Sequence, residues 1–195
     1  LSGTSVSLSA DGTIVAIGAP FHDGTKGTTR IWKYRTVSES DWESANIFIA
    51  TVGQTGVGDN DTTVSSIRGE AYSPTTKYWI QLGSDIDGGD VGDFSGHSVS
   101  LSADGTIVAI GAHQHNSGDG RTRIYQYSSN TSTWSQLGQD LIGDPGDNSG
   151  SSVSLSADGT IVAIGAISHG GTKGTTRIWK YRTAVSYTHL TLPTS

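Results

Sequence analysis

The sequence predicts an all-β chain of repeated four-stranded antiparallel units, and three observations carry that prediction. A fifteen-residue string recurs three times along the chain. Its apolar residues follow the periodicity of strands. The composition is poor in helix formers, since 28 Ser, 24 Thr and 27 Gly make up about 40 % of 195 residues, and these favour turns and strands over helix interiors.

The repeated string is Ser-Val-Ser-Leu-Ser-Ala-Asp-Gly-Thr-Ile-Val-Ala-Ile-Gly-Ala, at 5–19, 98–112 and 152–166. Each copy follows a Ser-Gly: Ser2-Gly3, Ser95-Gly96 and Ser149-Gly150. Each is followed by an Arg that opens an Arg-Ile-aromatic-x-Tyr segment, at Arg30, Arg123 and Arg177. The second segment continues to Trp134-Ser-Gln-Leu-Gly138, and a matching Trp79-Ile-Gln-Leu-Gly83 precedes the second Ser-Gly. The second and third copies are 54 residues apart and the first two 93 apart, so a shortened, degenerate unit is expected between them. The expected division is 2–42, degenerate 43–94, 95–148 and 149–183.

Within a unit the elements follow in order. Ser5 to Ser9 alternates Val6 and Leu8 with serines, a strand of period two. Asp11-Gly12 is a hairpin turn, because both residues tolerate the backbone that tight turns need. Ile14 to Ala19 is apolar throughout, which predicts an inner strand buried on both faces, with Ala16, Ala109 and Ala163 almost fully covered. Gly18 in that strand lets a neighbouring backbone come close. Arg30 to Tyr34 gives the third strand and Trp134 to Leu137 the fourth; Ile47 to Val52 is read as an inner strand of the degenerate unit. Four antiparallel strands per unit, with sheets stacked face to face, predict a partial β-propeller of three clear blades and one degenerate one.

Charge narrows the partners. There are 18 acidic and 12 basic residues, a net charge of −6, and 15 of the acids are Asp, a loop and turn signature. No Lys/Arg stripe exists to neutralise phosphates, so nucleic acid is excluded as a partner. No run of 18 apolar residues predicts membrane insertion. With no Cys, disulfides, thiolate zinc sites and cysteine nucleophiles are excluded. No Met is present either, so Leu1 is read as the edge of a fragment or of a processed product.

These units resemble the FG-GAP class of propeller repeats, found in integrin α-subunit heads and in many secreted microbial surface proteins. Gly18-Ala19-Pro20 stands as the Gly-Ala-Pro half of the motif, and Phe94-Ser95-Gly96 comes nearest to the Phe-Gly half. The resemblance covers residues 1–183, weakly at 43–71, and implies a secreted or cell-surface location. Later copies depart to Gly111-Ala112-His113 and Gly165-Ala166-Ile167, and the family's calcium loop is reduced to one carboxylate in Ala-Asp-Gly-Thr. Calcium is therefore not carried over, since a hard cation takes six or more oxygens. Residues 184–195 resemble a translated sequencing adapter and are read as a non-native tail.

Two sets of candidate site residues stand out. His22, His115 and His169 each follow the repeat Ala by three residues, which puts them in equivalent, ligand-facing loops; a ring there can meet a metal or an anionic ligand, or cap its own loop. Asp85, Asp87, Asp90 and Asp93 put four carboxylates in nine residues, a candidate calcium loop whose simpler reading is an exposed turn. Trp32, Tyr125 and Trp179 are in phase and are read as packing between blades. Asn60-Asp-Thr62 and Asn130-Thr-Ser132 are glycosylation sequons. No catalytic residue and no resident cofactor or metal is assigned: copied residues are alike, whereas acid–base chemistry needs unequal groups. The carboxylates that break the repeat are Asp41, Glu43, Asp59, Asp61 and Glu70.

The expected function is a non-enzymatic binding or adhesion module that recognises a protein or glycan through its loops. The alternatives are a fragment of a propeller enzyme acting on polysaccharide, and a structural spacer. Aromatic loop residues that vary between blades favour binding. The third copy ends before its Trp-x-Gln-Leu-Gly strand, so the isolated chain is expected to self-associate through an unpaired strand edge.

Overall fold

The computed structural model describes residues 3–36, 47–48, 77–171 and 173–182. Fourteen strands form three antiparallel sheets among them, an all-β fold. The first sheet runs β1 (Ser5–Leu8), β2 (Ile14–Ala19), β3 (Thr28–Thr36), β5 (Lys77–Gln81) and β4 (Ile47–Phe48), with β6 (Ile86–Asp87) also on β3. The second runs β7 (Ser98–Leu101), β8 (Ile107–Ala112), β9 (Arg121–Ser128) and β10 (Thr133–Gln136), with β11 (Leu141–Ile142) on β9. The third is β12 (Ser149–Leu155), β13 (Ile161–Ala166) and β14 (Thr175–Lys180).

One pairing differs from the expected division. Lys77–Gln81 does not belong to a sheet of its own. It lies antiparallel on β3, Tyr34 opposite Trp79, just as β10 lies on β9 with Tyr127 opposite Trp134. The Trp-x-Gln-Leu-Gly strand is thus the fourth strand of the first sheet, delayed by the intervening chain. The two ring pairs match, with centroids 5.3 Å apart in each. Cross-strand aromatic contact of this kind fixes register. Of the strand expected over 47–52, Ile47–Phe48 pairs with β5 and the rest lies outside the described residues, as does the 184–195 tail.

Each Asp-Gly lies in the loop between two antiparallel strands, as expected, but one residue later than a two-residue hairpin would put it. The Gly12 N–H donates to the Ser9 carbonyl at 3.0 Å, so the turn centres on Ala10 and Asp11, and Gly12 follows with φ +69°. The bond recurs from Gly105 to Ser102 and from Gly159 to Ser156.

The sheets pack front to back. Ile14, Ala16 and Ile31 of the first meet Val99, Leu101, Val108 and Ile110 of the second in one apolar cluster. Ala109 of the second meets Val162 and Ile164 of the third, flanked by Ile124, Val153 and Leu155. Alternate residues of one inner strand therefore face opposite neighbours. The serines of the neighbouring strands β1 and β7 turn to the next sheet. Ser5 Oγ donates to the Gly96 carbonyl and Ser98 Oγ to the Gly150 carbonyl, both at 2.8 Å. Ser7 Oγ accepts from the Leu101 N–H at 2.9 Å, and Ser100 Oγ from the Leu155 N–H at 3.0 Å. The serine row satisfies the backbone of the next sheet while Val and Leu fill the core with the previous one.

Glycine sets how close the sheets come. A Cβ on Gly18 would lie 2.0 Å from the Gly96 carbonyl oxygen, and one on Gly111 would lie 2.2 Å from that of Gly150. Ala16 and Ala109 are fully buried as expected, but Ala163 is only half-buried. No sheet lies over that face of the third sheet among the described residues, so the reason for burial is missing there.

Candidate functional site

Two clusters meet where the loops of the first and second sheets come together. The first is polar. The loop after β6 carries Asp90 and Asp93, and the loop after β8 carries His115 and leads into Arg121, the first residue of β9. Asp93 is buried, and its carboxylate is shared: Oδ1 lies 3.0 Å from His115 Nδ1, and Oδ2 accepts from Arg121 Nη2 at 2.7 Å. Asp90 closes a small ring beside it, its N–H donating to Asp93 Oδ2 at 3.2 Å. Arg121 reaches on to Asp140 at 3.3 Å, and Asp140 is held by Gln136 at 2.7 Å.

The Asp–His contact recurs one unit later, with Arg177, the counterpart of Arg123 rather than of Arg121, on the carboxylate. His169 Nδ1 lies 2.9 Å from Asp147 Oδ1, Arg177 Nη1 lies 3.3 Å from Asp147 Oδ2, and Asp144 donates its N–H to the same carboxylate. Burial presses the Asp147 carboxyl upward, but the bonds from His169 and the Asp144 N–H outweigh it and hold the group below the usual carboxylate range. In both units the His follows its Asp by 22 residues, so a carboxylate from one unit locks a loop of the next.

The candidate residues sort accordingly. His115 and His169 are drawn into these locks. His22 is exposed. The four carboxylates of the candidate calcium loop are not gathered round one point. Asp85 turns back to Arg30 Nε at 2.8 Å and to Gln81. Asp87 sits in β6 opposite Thr28. Only Asp90 and Asp93 approach His115, and that group, like Asp144, Asp147 and His169, has donor atoms close enough to share an ion. In each group a guanidinium already balances the buried carboxylate, and a cation would have to compete with it.

The second cluster is aromatic and belongs to the first junction alone. Phe21 is exposed and meets Phe94 edge to face, centroids 5.5 Å apart. Phe94 leans on His113 at 5.8 Å, and His113 stacks on His97 at 3.9 Å. Burial, and then the neighbouring His97 charge, hold His113 down to about 4. Phe94 adopts φ +56°, a left-handed backbone that is costly for a bulky residue. The equivalent positions in the next unit are Gln114, Asn148, Ser151 and Ile167. The loops of the polar cluster line an open depression of about 440 Å³, from Asp90 to Asp93 and from Gln114 to Ser117.

Of the three in-phase aromatics expected to pack between sheets, Tyr125 packs against the core between the first two sheets, Trp32 is half-buried and Trp179 is exposed; Trp134 packs beside Tyr125. Asn130 lies in the exposed turn between β9 and β10, while Asn60 and the five non-repeated carboxylates fall outside the described residues. Among the described residues no helix is long and apolar enough to cross a membrane. Sequence reasoning passed over Arg121, because its equivalents Thr28 and Thr175 are uncharged, and over the contact of Phe21 with Phe94. The available signal was departure from the repeat at 21, 94, 97 and 113. Comparison with known proteins finds no matching family model and no matching curated protein.

Proposed function

We propose that the chain is a non-enzymatic binding or adhesion module of a secreted or cell-surface protein, its sheets the blades of a partial FG-GAP-type propeller. A protein or glycan docks on the loops of the first junction. The observation that carries this reading is the asymmetry of the loops. The inner strands are copied residue for residue, yet the loop residues Phe21, Phe94, His97 and His113 occur at one junction only. A scaffold that only spaced its ends would have no use for an exposed Phe found in one loop and not in its copies. Aromatic faces stack on sugar rings and on apolar side chains, and the depression adds Asp, Gln and Asn groups for hydrogen bonds. The buried carboxylates are engaged by His and Arg, an arrangement that positions loops rather than moving protons.

The reading is tested by binding the chain to a panel of immobilised oligosaccharides and purified extracellular proteins. Phe21→Ala is expected to weaken the interaction on the order of ten-fold while leaving the melting temperature in place. Binding that ignores Phe21 would contradict the site. Release of reducing ends from a polysaccharide would replace the module with an enzyme.

A further inference from the structure

The first and third sheets each leave one face without a neighbouring sheet among the described residues, and the two faces are complementary. We infer that these faces pair between copies of the chain, the third sheet of one packing on the first sheet of another in a head-to-tail contact. The pairing is independent of any ligand at the first junction.

The argument rests on equivalence. Leu8 is 60 % exposed, but its copy Leu101 is 7 % exposed because the first sheet covers it; Val6 and Val99 stand at 64 % and 8 %. On the other side the order reverses. Ile31 and Ile14 are 0 % and 5 % exposed against the second sheet, whereas their copies Ile178 and Ile161 are 72 % and 38 % exposed. One outer face is therefore the half of the joint that Val99 and Leu101 supply inside the chain, and the other is the half that Ile14 and Ile31 supply. The strings that form these faces, 5–19 and 152–166, are identical to each other and to 98–112, which is packed on both sides. A second copy thus meets an interface that the chain already makes twice.

The polar groups agree. Ser5 and Ser98 each donate to the carbonyl of the glycine that opens the next unit, and Ser7 and Ser100 each accept a backbone N–H from it. Ser152 and Ser154, the third set, make no such bonds among the described residues. Gly3 and the Leu8 N–H of a second copy are the matching acceptor and donor. A contact of this kind is heterologous, and it either closes a ring or extends a row. It differs from pairing through the edge of β14 that meets no further strand among the described residues, because the residues that carry it project from the sheet faces.

Light scattering on a sizing column tests the proposal. The chain is expected to run above its single-copy mass of 20.3 kDa. The double variant Val6→Asp with Leu8→Asp blocks one face, and Ile161→Asp with Ile178→Asp blocks the other. All four positions are exposed in the single copy, so both variants keep their sheets, which circular dichroism checks. Each variant alone is expected to be monomeric, association falling on the order of 100-fold or more where a carboxylate meets an apolar face. Mixed one to one, they restore one intact joint and yield a pair. A wild-type chain that stays monomeric at high concentration would overturn the proposal. So would self-association of either variant alone, which would indicate edge pairing or like-face contact, or a mixture that forms no pair.

Discussion

Asp11 and Asp158 accept from a matching ring of donors. Asp11 takes the Ser9 hydroxyl at 2.6 Å, the Thr13 N–H at 3.0 Å and the Thr13 hydroxyl at 2.9 Å. The Ser9 bond contributes most, and together these donors hold the carboxyl down to about 2; Asp158 is held at about 2 in the same way. A depressed carboxyl lends stability above its unfolded value of 3.8, and loses it as pH falls from there toward 2. Ser9→Ala should raise the Asp11 titration midpoint toward 3.8, which carbon-detected NMR titration would report. His113 acts in a higher window. Its folded value, about 4, lies below the unfolded 6.5, so the unfolded chain binds the extra proton first, and stability falls as pH drops from 6.5 toward 4. The third unit carries Ile167 at this place. His113→Ile is therefore expected to flatten the melting temperature across that window, and an unchanged slope would place the titrating group elsewhere.

At the scale of the element, one position of the repeat has three energies. Ile31, Ile124 and Ile178 occupy the same place in β3, β9 and β14, but the first is fully buried, the second half-buried and the third exposed. Ile31→Ala should cost about 2–5 kcal/mol, the range for a buried large-to-small change. Ile178→Ala should stay within about 0.5 kcal/mol in the single copy. Chemical denaturation of the two variants checks this. The same strands show what the sequence could yield. Strand positions and the Asp-Gly loops were legible, because period two and positive-φ glycines are local signals. The place of Lys77–Gln81 was not, because its partner β3 lies some forty residues back and only pairing of Trp79 with Tyr34 settles it. The role of the serines was not legible either, since alternation cannot distinguish solvent from the backbone of the next sheet. The Asp93–His115 contact was equally hidden: each residue was conspicuous alone, but they lie 22 apart on loops of different sheets.

At the scale of the molecule, three sheets stack through glycines that occupy one position of the repeat. Gly18 and Gly111 sit under the next unit's backbone, whereas a Cβ on Gly165 would, among the described residues, crowd the movable hydroxyl of Ser152, at 2.3 Å, and no backbone closer than 3.8 Å. The most direct test of this stacking is thermal denaturation of Gly18→Ala, Gly111→Ala and Gly165→Ala, in solution dilute enough to keep the chain monomeric. The first two should each lose about 1–3 kcal/mol, since a methyl group driven against fixed carbonyl oxygen forces the sheets apart. The third should lose less than about 1 kcal/mol. Equal losses at all three positions would contradict the front-to-back stack, because three identical sequences would then have identical surroundings.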